Sequence, residues 1–223
     1  MFTVSDDWRE AYPGAFAGVL VMTGVSNPEH HPELDRQKKE LEEELRTLFT
    51  DRGQLKTLPP IQAYRDYYKR FKKTYHVQLQ LESVLLKGKS IPGMRALVKA
   101  MVSAELKNQL LTAGHDVTKL DGALVADVAS GEERYTRFGG REQQLKQDDM
   151  FISDGTGIVS SVLYGPDART SLGDNTEHVC FTVYAVQGIA AHTVKSHLGD
   201  IRDAVLLVAP DAAVEMLEFV NGD

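Results

Sequence analysis

The chain has 223 residues, 42% of them hydrophobic and 26% charged, an ordinary mixture for a globular protein with enough length to bury a core. Its formal charge of −7 argues against broad, sequence-blind binding of polyanions, which draws on excess lysine and arginine, but leaves room for a local basic face. The single cysteine, Cys180, has no internal disulfide partner and reads as a small buried hydrophobe in a reducing compartment. The longest apolar run, AFAGVLVM, is a strand's worth and far short of a membrane span, and MFTVSDDWRE lacks the basic-then-apolar order of a secretion signal. A cytoplasmic protein without membrane contact is expected.

Taken in order, residues 14–25 (GAFAGVLVMTGV) predict a strand buried on both faces. After SNPEHHPE, the spacing of Leu34, Leu41, Leu45 and Leu48 predicts a helix from Pro32 to Phe49, with the glutamates at 42–44 on its solvated face. Residues 52–59 read as a linker. A second helix opens at Pro59-Pro60 with an inner stripe of Ile61, Tyr64, Tyr68 and Phe71. Lys69, Arg70, Lys72 and Lys73 crowd its end. They complement the helix dipole, or they contact phosphate, with Tyr67 or Tyr75 near a ribose or base. The alternation in VQLQLESVLL predicts a strand edged by His76. From Gly93 to about Asn108, Met94, Leu97, Val98, Met101, Val102 and Leu106 predict a helix with one buried face. It empties into LLTAGHDVTKLDG, the composition of a pocket wall.

The text then changes to strands: ALVADVA, YTRF, MFISD, GIVSSVLY and HVCFTVYAV, with short punctuation between most of them. Residues 190–208 predict a helix despite Gly199, while AVEMLEFV reads equally as a strand or a helical turn. The expected class is α+β, a β-sandwich-like core of short strands with flanking helices. The expected organisation is one domain over 1–223, with the strand and helix of 14–49 and the helix of 190–208 packed on it.

Lipase, P-loop, zinc-protease and Cys-x-x-Cys signatures are absent, so no metal or other cofactor is expected. His30-His31 reads as a solvated loop pair, and His192 and His197 lack the spacing for a shared metal. His115-Asp116 has two readings. Asp116 caps the turn into VTKL beside a packed His115, or His115 lines a cleft and positions water or a ligand. The polar segment GPDARTSLGDNTEH, with Asp167, Arg169, Asp174 and Asn175, is either a connection or a functional loop.

The order of these pieces carries more than any one of them. Tyr64-Arg65 with Tyr68, then Glu82, Lys87-Gly88 with Pro92, Asp116 with Lys119-Leu120 and Gly122, Gly131-Glu132, Asp154 and Thr176 follow in a sequence that resembles the B3/B4 module of the phenylalanyl-tRNA synthetase β subunit. The likeness is greatest to free-standing relatives of that module and covers residues 60–188. Departures fall at Ala113, where the module carries a histidine, at Val102, where relatives carry an asparagine, and at 162–165, where many carry Trp-Asn-Trp-Arg. The module's editing glutamate falls near Pro166-Asp167.

The resemblance implies a partner, tRNA or aminoacyl-tRNA, and a reaction, hydrolysis of a wrongly attached amino acid. That ester is activated, so a positioned water and oxyanion donors suffice. On this expectation His115 orients water with Asp167 as its acid/base partner. Ala113, Gly114, Asp116, Tyr164, Thr182 and Tyr184 line the amino-acid pocket, and Arg169 holds a phosphate. Lys69, Arg70, Lys72 and Lys73 contact RNA. The alternative is a non-catalytic module that binds RNA or a small amino-acid-like ligand. No protein partner is inferable.

Overall fold

The first strand of the chain finds its partner more than a hundred residues away. In the computed structural model, which describes residues 2–221, β1 (Phe2–Val4) runs parallel to β4 (Leu124–Val128) and pairs Phe2 with Leu124. Beyond β4 come antiparallel β7 (Met150–Ser153), β8 (Ile158–Ser161) and the two-residue β9 (Gly165–Pro166), completing a five-stranded sheet. A second, antiparallel sheet has the order β11 (Ala213–Asn221), β2 (Phe16–Thr23), β10 (His178–Ala185), β3 (Thr112–Asp116). The hairpin β5 (Arg134–Thr136)–β6 (Glu142–Gln144) forms a separate two-stranded sheet. Tyr184 of β10 bridges the two larger sheets: its hydroxyl lies 2.6 Å from Ser160 Oγ on β8. The class is α+β, as the alternation of short apolar runs predicts.

Helices α1 (Asp6–Ala11), α2 (Pro32–Leu48), α3 (Arg52–Thr57), α4 (Pro59–Arg70), α5 (His76–Leu86), α6 (Ala96–Asn108) and α7 (Ala191–Val208) cover these sheets. One continuous core of buried side chains runs from Phe2 to Val205. The α7 helix lies tight on β2 because position 18 is glycine; a Cβ there would sit 2.5 Å from Val194 Cγ1. Helix α6 ends in a left-handed residue that is not glycine, Gln109 (φ 56°), whose side-chain amide donates to the carbonyls of Leu106 and Lys107 that the helix end leaves open.

Three expectations need correction, and one open choice is resolved. Residues 76–86 are helix α5 and not a strand. Val77, Leu81 and Val84 are buried at steps of four and three, while Leu79, which the alternation placed with them, is 49% exposed. His76 therefore begins a helix, half-buried against Tyr68, whose hydroxyl lies 3.0 Å from its Nδ1. Residues 52–57 of the expected linker form α3, capped by Asp51, which accepts the Gln54 N–H at 3.0 Å. Glu42 is buried within the supposedly solvated acidic run: it accepts the Ile91 N–H at 2.7 Å and lies within 3.6 Å of Lys38 and 3.5 Å of Arg46. The undecided segment AVEMLEFV is the outer strand β11, beside β2.

Candidate functional site

The tyrosines of α4 decide where its charges go. Tyr64, Tyr67 and Tyr68 are buried, as is Tyr75 just beyond, and each hydroxyl finds a partner. Tyr64 donates to the Tyr184 carbonyl (2.5 Å), Tyr67 to Asp149 Oδ1 (2.8 Å), Tyr68 to the Val162 carbonyl (2.5 Å) and Tyr75 to the Gln109 carbonyl (3.1 Å). Tyr64 and Tyr75 stack with centroids 4.4 Å apart. These bonds fix the rotation of the helix about its axis, so Arg65 and Lys69 share its outward side, and Lys73 follows just beyond its end. The expectation that Tyr67 or Tyr75 meets a nucleotide is overturned, because both are interior.

The outward face forms one wall of a groove of about 420 Å³ between α3, α4 and α5. Five cations line it: Arg52 and Lys56 from α3, Arg65 and Lys69 from α4, and Lys73. Two carboxylates, Asp66 and Glu82, oppose them. Glu82 is buried and already engaged, 2.7 Å from Arg52 Nη2 and accepting the Gln78 side-chain N–H at 2.8 Å. Among the described residues no carboxylate comes within 4.0 Å of the side-chain nitrogens of Lys56, Arg65, Lys69 or Lys73. In a chain of net charge −7 this is a concentration of uncompensated positive charge. Lys73 is half-buried with Nζ 4.5 Å above the Tyr164 ring, and its pKa is lowered by burial and by Lys146 and Arg137 nearby. Of the basic residues singled out from sequence, Lys69 and Lys73 line the groove. Arg70 and Lys72 are exposed outside it, Arg70 over the Tyr12 ring at 5.1 Å. Arg52, Lys56 and Arg65 were missed, although the four-residue spacings 65, 69 and 52, 56 were readable as helix faces.

A second cluster joins the AGHD and PDART segments. His115, on β3, is fully buried. Its Nδ1 lies 2.7 Å from Thr170 Oγ1, and Thr170 in turn donates its hydroxyl to Asp167 Oδ1, which also accepts the Thr170 N–H at 3.0 Å. With the hydroxyl proton committed to Asp167, Thr170 accepts from Nδ1–H, so Nε2 carries the lone pair; it is buried without a partner. Burial pushes the imidazole down to about 4, with Arg169 adding to the effect and Asp154 opposing it, so it is neutral at pH 7. His115 and Asp167 are thus connected, through a threonine that sequence reasoning did not weigh.

The other expected pocket residues are mostly interior. Ala113 pairs with Thr182 across β3 and β10, both buried, and Thr182 Oγ1 has no partner. The space beside Gly114 is filled: a Cβ there would meet Leu172 at 3.0 Å, Phe181 at 3.3 Å and Met101 at 3.4 Å. Asp116 accepts from Thr118 N–H (3.1 Å), Thr118 Oγ1 (2.7 Å) and Thr176 Oγ1 (2.8 Å), capping the 3-10 turn Val117–Lys119. Burial pushes its carboxyl up, but these bonds leave it below the usual range. Arg169 is half-buried and tied to Asp154 (2.8 Å) and to the Lys119 carbonyl (2.7 Å). Tyr164 alone of the set is half-exposed beside a free cation, Lys73.

The profile of the B3/4 domain matches residues 62–218, well over half of the chain. The chain belongs to the B3/4 domain family. Among solved structures, an N-terminal fragment of the phenylalanyl-tRNA synthetase β subunit from Pyrococcus horikoshii superimposes with a TM-score of 0.51 at 11% identity. The alignment covers 93% of this chain and 48% of that one, so the B3/4 chain spans about half of the fragment's length. No curated protein matches the chain. Among the described residues of this B3/4 protein no helix is long and apolar enough to cross a membrane.

Proposed function

We propose that this B3/4 protein is an RNA-contacting module that takes tRNA, gripping its phosphates in the α3–α4–α5 groove. The observation that carries the reading is the set of four unpaired cations along one groove, Lys56, Arg65, Lys69 and Lys73, two of them on the helix whose rotation the buried tyrosines fix. Phosphate contacts of this kind supply affinity through counterion release and make it fall steeply with salt. The kinship of the fold to a tRNA synthetase subunit supports tRNA as the nucleic acid.

Hydrolysis of mischarged tRNA is the second reading, favoured by one observation: the bare, partnerless Nε2 of His115 at the end of the Thr170–Asp167 chain. A water activated there must reach Nε2, so this reading requires the AGHD and PDART segments to part. A salt-dependent tRNA titration beside a deacylation assay on mischarged tRNA tests both. Binding with a salt slope and no turnover supports the grip alone, and turnover lost in His115→Ala supports the hydrolase. Absence of any salt-dependent tRNA binding overturns the proposal.

A further inference from the structure

The β5–β6 hairpin is a part of the fold that the groove leaves unused. Its tip reads Arg137-Phe138-Gly139-Gly140-Arg141, and Phe138 is 69% exposed, more than any other large apolar side chain among the described residues. The tip is nevertheless rigidly bonded. Arg137 N–H donates to the Arg141 carbonyl (2.9 Å), Gly140 N–H to the Arg137 carbonyl (2.8 Å) and Phe138 N–H to the Pro166 carbonyl (2.9 Å), with Gly139 and Gly140 at φ 93° and 80°. The backbone thus holds the ring out in water.

The side chains on either side of the ring along the tip are positive. Arg137 and Arg141 flank it, and among the described residues neither has a carboxylate within ion-pair distance; Arg137 Nε is buried without a hydrogen-bond partner. The hairpin lies along residues 165–168, through Tyr135 Oη to the Gly165 carbonyl (2.7 Å) and Ala168 N–H to the Thr136 carbonyl (2.9 Å). Tyr164 directly precedes that stretch, and Lys73, which sits over its ring, also lines the groove. The groove and the hairpin tip are therefore joined by Lys73, Tyr164 and Arg137 into one strip.

We infer that this strip carries a single-stranded segment of RNA out of the groove, with phosphates on Lys73 and Arg137 and an unpaired base stacked on Phe138. The inference rests on the RNA reading above and deepens it. A lone aromatic between cations suits a nucleotide, which offers a π face and a charge together. A protein partner would call for a broader apolar patch at its contact core.

The test is binding of the full chain to a short single-stranded RNA and to a blunt RNA duplex, each titrated across salt. Phe138→Ala is expected to weaken single-strand binding by about tenfold, without changing the salt slope or duplex affinity, and Phe138→Trp to restore it. Lys73→Gln with Arg137→Gln is expected to flatten the slope by about one to two. If Phe138→Ala leaves single-strand affinity intact, or weakens duplex binding equally, the strip is overturned. The groove stands separately if Lys56→Gln with Arg65→Gln still loses affinity. A parent chain that binds neither RNA overturns both readings.

Discussion

The groove of α3–α5 and the seam of His115, Thr170 and Asp167 are built from opposite solutions to the same problem. In the seam, polar groups are taken out of water and bonded to one another, all but the bare Nε2 of His115, and the imidazole is forced neutral. In the groove, charge stays in solvent and is left unsatisfied by the protein, while the polar atoms behind it are consumed by tyrosine hydroxyls. A seam of the first kind holds a fold together; a surface of the second kind waits for a ligand. Substitutions in the seam should therefore register as stability and substitutions in the groove as binding.

The largest expected effect is in the groove. Replacing Lys56, Arg65, Lys69 and Lys73 together by glutamine should reduce the salt slope of tRNA binding by about three to four, while urea unfolding moves by less than about 0.5 kcal/mol per site. An unchanged slope would erase the distinction between the regions. In the seam, Thr170→Val keeps the shape but takes the hydroxyl bond from the Asp167 carboxylate and leaves the His115 Nδ1–H without an acceptor. The expected cost is about 2–3 kcal/mol in urea unfolding with tRNA affinity unchanged.

Next in size is a pH dependence. Glu105 is fully buried, accepts the Thr112 N–H at the head of β3, and is pushed up to about 8 by burial against that bond. The folded chain keeps a proton there that the unfolded chain releases above its ordinary value of 4.5, so this contribution is full in acid and declines as pH rises toward 8. Glu105→Gln should remove the decline and leave the variant more stable than the parent at pH 8 by about 1 kcal/mol or more, read by urea midpoints at pH 5 and 8. His115 has the opposite sign. Lowered from 6.5 to about 4, it stabilises above 6.5 and loses that contribution as pH falls toward 4.

The smallest effect sharpens the comparison most. Cys180 pairs with His115 across β10 and β3, and burial pushes its thiol up to about 12. Thiol labelling should be slow in the folded chain and unaltered by saturating tRNA. Acceleration by mischarged tRNA would show the seam opening and favour the hydrolytic reading.

Much of the fold was legible because burial imposes periodicity. The run at 14–25 and the stripe Tyr64, Tyr68, Phe71 read correctly, since one buried face leaves one signal. The segment 76–86 misled because Val77 and Leu81 satisfy both a period of two and a step of four, and only the exposure of Leu79 separates them. Asp167 was paired with His115 on resemblance, but Thr170 between them gave no periodic signal, because a hydroxyl's role depends on partners distant in sequence. The groove was half legible: its helix faces were in the spacing, and its meeting of α3 with α5 was not.

One feature of the second sheet bears on how this family is handled at the bench. The stretch recognised as B3/4 begins at residue 62, yet β2, at Phe16–Thr23, is the strand between β10 and β11. A gene trimmed to the recognised boundaries would encode two strands separated by an empty slot about 10 Å wide, with main-chain groups on both sides bare and α7 stripped of the strand that Gly18 lets it lie against. Such a fragment should be insoluble, and the working unit for expression has to begin upstream of β2.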